Sequence, residues 1–417
     1  MNELDSFLKE EQGVGLIDST GQFTISADKA LEKLAHSQLP DPSYWILKVV
    51  QFATSYGVET MEVKIGRRVT SIEMPLPTPL SVAQMQHGLD SVEPLPEPAL
   101  DHLVTGLRAL GGIESKIFVL NLKGPDSSEF LFWDGKRLST KRQDHESDGA
   151  SLILEISSAG STVWNLDLAA RFRRAGEALA LETLAFVAPL QLKVDGRVVT
   201  HAHLEQPGHF VQSLLWDHAP FEQGTDLPFY LKSDSEMTGP ASAFWSLSFN
   251  YKLVHSAFRS TPDPREVERT SRIYWVKDGV IVKQNALIPK LPFTVNLFVD
   301  CRDCPADLGG LNLRQTDIFT AKRRWVMKEL LPGISRKSRE SIKNLRELEG
   351  KTLGGWEAVV ASTSHLPLSD AVVYEKPNPV GKSLNAHPGF RKKLLALIKE
   401  TASHPAARFL PDSLSPK

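Results

Sequence analysis

An α+β protein of more than one unit is what the sequence predicts, and three observations carry the prediction. The first 160 residues alternate helical apolar spacing with short strand-like runs, in the order helix, helix, strand, strand, loop, helix, strands. A second series of strands and turns follows over residues 161–320, and from Ala321 to the end the chain reads as helical and basic, with a loose linker at 362–388. At 417 residues the chain also exceeds one core, since a domain takes about 100–200 residues.

Each element has its own signal. Ser26 offers a cap to a helix on Ala30, Leu31 and Leu34, and Pro40-Asp41-Pro42-Ser43 ends it and starts another. In that second helix Trp45, Ile46, Val49, Val50 and Ala53 share one side, and Gly57 closes it. Runs at 60–65 and 69–74 read as strands. The prolines at 75, 77, 79, 94, 96 and 98 predict a long loop with at most one helical turn. A helix resumes near Ala99 and stops at Gly111-Gly112, and strands follow at 116–122, 129–133 and 151–157. The second unit opens with a helix at 166–181 and a strand at 191–194, and has turns at Asp195-Gly196 and Asp278-Gly279. A last helix is expected at 390–401.

Composition removes several classes of function. Hydrophobic residues at 41% and charged residues at 24% match globular averages, which excludes fibrous or largely disordered architectures. Lys and Arg number 48 against 50 Asp and Glu, so any nucleic-acid contact must come from a local patch. The most apolar stretch, 179–192, is broken by Glu182 and Pro189, and the acidic start lacks the pattern of a signal peptide. Two cysteines make no disulfide framework. The expectation is a cytoplasmic protein without membrane association.

Several segments together resemble the ATP-binding domain of the GHKL superfamily (gyrase, heat-shock chaperones, histidine kinases, MutL), and a bacterial group built on it. They are Phe23-Thr24-Ile25, Lys29 to Leu34, Gln38-Leu39-Pro40-Asp41-Pro42 with the helix from Leu47 to Ala53, and His102 to Leu110 with its Gly106. Phe186-Val187-Ala188-Pro189-Leu190, Asp195-Gly196-Arg197, Trp275 to Val280 and Asp307 to Gly310 look like the transducer domain that follows in such proteins.

The resemblance implies a helix whose Glu activates water and whose Asn, four residues later, binds Mg²⁺. Here it puts Lys48 at the base and Phe52 at the metal ligand. A protonated lysine takes no proton from water, and phenylalanine offers no oxygen to a hard cation. Where the resemblance implies an adenine-reading Asp in a glycine turn, the chain has Glu73-Met74-Pro75-Leu76-Pro77. Prolines there fix φ and remove N–H donors. The candidate nucleotide contacts are Lys48, Gln51, Glu73 and Gly106, with ATP as a ligand that needs no Mg²⁺. Against this, Lys48 also reads as a surface lysine lying along an apolar helix face, Phe52 as core, and Glu73 as a strand-end carboxylate.

Other clusters are weaker. Cys301 and Cys304 have redox-pair spacing but follow a strand at 294–300 and precede Pro305, so they read as ordinary thiols. His201, His203, Glu205 and His209 read as chance neighbours rather than a zinc site. Lys322, Arg323, Arg324, Arg336 and Lys337 offer a surface for nucleic acid or an acidic protein, or simply a solvated helix face. The sequence therefore predicts no catalytic residue and no metal site. The expected function is a non-hydrolysing scaffold or regulator with protein partners. A nucleotide sensor and a nucleic-acid-associated factor are the alternatives.

Overall fold

The computed structural model describes residues 38–66, 69–91, 95–113, 116–144, 149–158, 168–199, 212–223, 241–254, 263–347 and 388–403. The helix expected around Ala30, the residues His201, His203, Glu205 and His209, and the linker at 362–387 lie outside the described residues.

A 3-10 turn, Pro42–Tyr44, leads into α1, Trp45–Ser55. Asp41 starts it: its carboxylate accepts from the Ser43 N–H at 2.7 Å and the Ser43 hydroxyl at 2.6 Å, while Pro42 has no N–H to satisfy. β1 (Thr60–Ile65) and β2 (Val69–Leu76) form a hairpin. The Pro-rich stretch after it corrects the expectation of a loop. It holds α2, Val82–Asp90, because Ser81 Oγ caps the Ala83 N–H at 3.2 Å and Val82 and Met85 enter the core. Then come α3 (Pro98–Gly111), β3 (Lys116–Lys123), β4 (Ser127–Trp133), β5 (Leu138–Asp144), β6 (Ala150–Ser158) and α4 (Leu168–Leu184). The strands β7 (Gln191–Val194) and β8 (Arg197–Val198) follow.

The first sheet runs β5-β4-β3-β6-β2-β1-β7-β8. It is antiparallel except where β1 lies parallel to β7. The strand at 191–194, which the sequence groups with the second unit, pairs instead in the first sheet. Leu192 and Val194 are buried in the same core as Met61 and Val63, and a parallel partner so far along the chain leaves no local signal. Alternation sets the two faces: Val63, Ile72, Met74, Leu120 and Leu154 point inward against α1 and α3, while Glu73 and Glu155 are exposed on the other side.

The second unit continues with β9 (Gln212–Gln223), β10 (Ala241–Val254), β11 (Asp263–Glu266), β12 (Arg269–Lys277), β13 (Val280–Leu291) and β14 (Phe293–Asp300). Its sheet runs β11-β10-β14-β12-β13, with β9 paired to β10. Every residue of β14 is buried, so the sheet is covered on both faces. One face packs Trp245, Trp275 and Leu297 against α5 (Asp317–Trp325), α6 (Leu331–Glu347) and α7 (Pro388–Ser403), through Phe319, Ile334 and Ile398. A π-helical turn, Val326–Leu330, joins α5 to α6. The basic tract is thus docked on the second sheet. The other face sends Phe244, Tyr274 and Phe298 into the first core, where Phe186 meets the Tyr274 and Phe298 rings edge-on, each at 6.2 Å. The chain is an α+β protein with two large sheets and helices packed on them. Among the described residues no helix is long and apolar enough to cross a membrane.

Candidate functional site

Residues 45–53 of α1 are all buried, although an apolar stripe on one side was expected. The sheet covers one side, α3 another, and the second unit a third. Lys48 lies on that third side with 2% of its surface exposed, which corrects its reading as a surface lysine. Its ammonium donates to Gln51 Oε1 at 2.7 Å and meets His102 Nδ1 at 2.8 Å. Gln51 shares the helix face three residues on, and its Nε2 donates to the Lys277 carbonyl at 3.1 Å. His102 comes from α3, and its Nε2 lies 3.1 Å from Asp278 Oδ2. An ammonium only donates, so Nδ1 is the acceptor and the hydrogen-bond network assigns the ring proton to Nε2.

Asp278 reaches this position through a tight hairpin turn between β12 and β13. Asp278 and Gly279 both take positive φ, +49° and +77°. The turn is wedged in place: a Cβ on Gly279 would stand 2.5 Å from Thr54 Oγ1 and 3.2 Å from Ala188 Cα. A second loop closes the site from the far side. Asp307 holds it by accepting from the backbone N–H groups of Leu311 at 3.1 Å and Asn312 at 3.2 Å, and from Asn312 Nδ2 at 2.7 Å. Gly310, at φ +69°, leaves room for Lys48: a Cβ there would stand 2.9 Å from Nζ.

The electrostatics follow from burial. Burial brings the Lys48 pKa down from 10.5 to about 8, although the carboxylates of Asp101, Asp278 and Asp307 work the other way. Burial also lowers His102, with the Asp278 hydrogen bond opposing it. Asp278 is desolvated, which would raise its pKa, yet the bond and charge from His102 and the nearby lysines leave it below the usual carboxylate value. At neutral pH the cluster is Lys48 charged, His102 neutral, Asp278 charged. A lysine in that state is no general base.

Of the candidates for nucleotide contact, the structure brings Lys48, Gln51 and Gly106 together and leaves Glu73 apart. Glu73 is exposed on β2, opposite Glu62 of β1, on the sheet face away from the helices. Gly106 is buried where α1 and α3 cross, and a Cβ on it would stand 3.1 Å from both Lys48 Cβ and the Trp45 carbonyl oxygen. Phe52 is fully buried in the core and stacks on Tyr56 at 5.2 Å. A cleft of about 250 Å³ opens beside α1, lined by Tyr44, Leu47, Leu184, Ile281, Lys283 and Leu311 among others, and neither Lys48 nor Gly106 lines it. Sequence reasoning passed over His102 and Asp278. The one available signal was the Asp-Gly turn itself.

Lys322 is not part of an open surface. Its ammonium donates to the Asp300 carbonyl at 2.8 Å and pairs with Asp303. Arg323, Arg324, Arg336 and Lys337 are exposed. Cys301 and Cys304 are buried and unbridged in the turn after β14. Burial pushes the Cys301 thiol well up and the Cys304 thiol up to about 11, so thiolate chemistry is suppressed there. Lys277 pins that turn by donating to the carbonyls of Arg302 at 2.8 Å and Cys304 at 3.0 Å. Among the described residues no group of three His, Cys, Asp or Glu side chains could hold a metal ion.

No family model matches the chain, and no curated protein matches it. Among solved structures, the ATPase region of Saccharomyces cerevisiae topoisomerase II is similar over 65% of this chain and 76% of that one, with a TM-score of 0.36 and 6% identity. That likeness is too slight to carry residues or roles across.

Proposed function

We propose that the chain is a non-hydrolysing GHKL-type module serving as a scaffold or regulatory subunit of a bacterial protein complex. The observation that carries this reading is the state of Lys48. The side chain at the position of the expected water-activating carboxylate is a buried ammonium, bonded to Gln51 and His102 under the Asp278 turn. Phe52, at the expected metal-ligand position, is core and has no oxygen to give. Helices α1 and α3 over the sheet supply the frame; the groups for hydrolysis are replaced by groups that join two units. Its partners on this reading are proteins that recognise the joined form.

The test is thermal unfolding with and without ATP, in Mg²⁺ and in EDTA, together with a phosphate-release assay. The expected result is no shift of the midpoint and no release. A ligand at about 100 times its Kd would add roughly 2.7 kcal/mol, which the midpoint registers. A shift that survives EDTA would replace this reading by a metal-independent nucleotide sensor. Phosphate release that disappears in Lys48→Ala would overturn it outright. Salt-dependent retardation of DNA, abolished by reversing Arg323 and Arg324, would favour the nucleic-acid-associated factor.

A further inference from the structure

The Lys48 cluster has a property that a filled site does not need. It is the polar part of the joint between the first core and the second sheet, and it is built from groups of four elements. Lys48 and Gln51 come from α1, Asp101 and His102 from α3, Lys277 and Asp278 from the β12–β13 turn, and Asp307 from the loop after β14. Three of these charged groups have bonds of their own. Asp101 accepts from the Leu95 N–H at 3.1 Å, Asp307 caps its own loop, and Lys277 is fixed on the Cys301 turn. That leaves Lys48, His102 and Asp278 as a chain of three, with the imidazole in the middle.

We propose that Lys48, His102 and Asp278 form a pH-operated latch between the two units, shut while His102 is neutral and released when its ring takes up a second proton. The geometry sets the direction. A neutral ring accepts from Lys48 through Nδ1 and donates to Asp278 through Nε2, so both contacts are satisfied. A doubly protonated ring points an N–H at an ammonium 2.8 Å away, which places two donors and two positive charges in contact. Lys48, at 2% exposure, has no water to turn to while the turn stays in place. Relief requires the β12–β13 turn to lift off α1 and α3. Burial disfavours the charged ring, so the latch holds at neutral pH and yields in acid. This inference concerns the joint alone and holds whether or not the chain serves as a scaffold.

Amide hydrogen exchange on the full chain tests it, with protection factors compared at about pH 7.5 and about pH 5 to remove the chemical rate. In the wild type, peptides covering 45–55, 98–111 and 276–281 are expected to lose about tenfold in protection at the lower pH, while 118–133 in the first sheet is unchanged. His102→Gln keeps an acceptor for Lys48 and a donor for Asp278 without a titrating ring, so its protection stays level. Asp278→Asn removes the carboxylate that favours the protonated ring, and is expected to move the opening midpoint about one unit lower in pH. Equal protection at both pH values in the wild type, or an unmoved midpoint in Asp278→Asn, overturns the latch. So does a His102→Gln protein that opens in acid as the wild type does.

Discussion

Lys48 Nζ stands 2.8 Å from His102 Nδ1, and the two residues come from different helices, 54 positions apart. The contact makes the charge at position 48 a structural quantity. Lys48→Met keeps the volume and removes the charge, but strands Gln51 Oε1 and His102 Nδ1. Its cost is expected to be about 1–3 kcal/mol for each of the two groups left unpaired. Lys48→Glu places a carboxylate against two acceptors, close to Asp278 and Asp101, and is expected to cost more. Urea unfolding midpoints rank the two variants. A Lys48→Glu protein as stable as the wild type would show that the site was never a closed network.

Two helical glycines are expected to respond with opposite signs to alanine. Replacing glycine inside a helix normally gains about 1 kcal/mol. At Gly333 of α6 nothing lies within 4 Å of an added Cβ, so Gly333→Ala gains it. At Gly106 the added atom meets Lys48 Cβ and the Trp45 carbonyl oxygen, both at 3.1 Å, the second a backbone atom of α1 and the first bonded directly to that backbone. The helices must part, and Gly106→Ala is expected to lose about 1–3 kcal/mol. Thermal midpoints of the two single variants suffice; a stabilised Gly106→Ala contradicts the close crossing.

The basic helix divides in the same manner. Lys322→Ala removes the tie to Asp300 and Asp303 at the end of β14, and is expected to cost about 1–2 kcal/mol. Arg323→Ala and Arg324→Ala touch exposed positions and should stay within about 0.5 kcal/mol. Equal effects from all three would mean that Lys322 is not anchored.

What could be read from the sequence, and what could not, follows the range of the interactions. Asp41 before Pro42, the stop at Gly111-Gly112 and the Asp278-Gly279 hairpin are local devices, and each was legible from two to four residues. The helix α2 was hidden by the prolines on both sides, although Ser81 carried the capping signal. The parallel partnership of β1 with β7 and the burial of Lys48 were not legible. Each depends on residues more than a hundred positions away, and Lys48 stands outside the apolar stripe that periodicity detects. The candidate site was therefore located by Lys48 and Gln51 but completed only by His102 and Asp278.

The lowered Lys48 pKa makes a pH prediction with the same sign as that of the paired carboxylate Asp278, a rise of stability with pH, but in an alkaline window rather than an acid one. Below about 8 the ammonium is charged in the folded and the unfolded chain alike, and the cost of burying it is fully present. Between about 8 and 10.5 the folded chain gives up the proton while the unfolded chain keeps it, so stability rises with pH across that window. Above it both forms are neutral and the rise is complete, at about 3 kcal/mol. Other groups oppose the trend: the buried Cys301 and Cys304 thiols hold their protons above the usual 9.0, so they lose stability over the same range. The Lys48 part is isolated by subtracting the profile of Lys48→Met from that of the wild type, each measured by urea unfolding from about pH 7 to about pH 10.5. The difference is expected to climb steadily in favour of the wild type from pH 8 upward. A flat difference would mean that the Lys48 ammonium is as well solvated in the folded protein as in water, which a side chain 2% exposed and held by Gln51 and His102 is not.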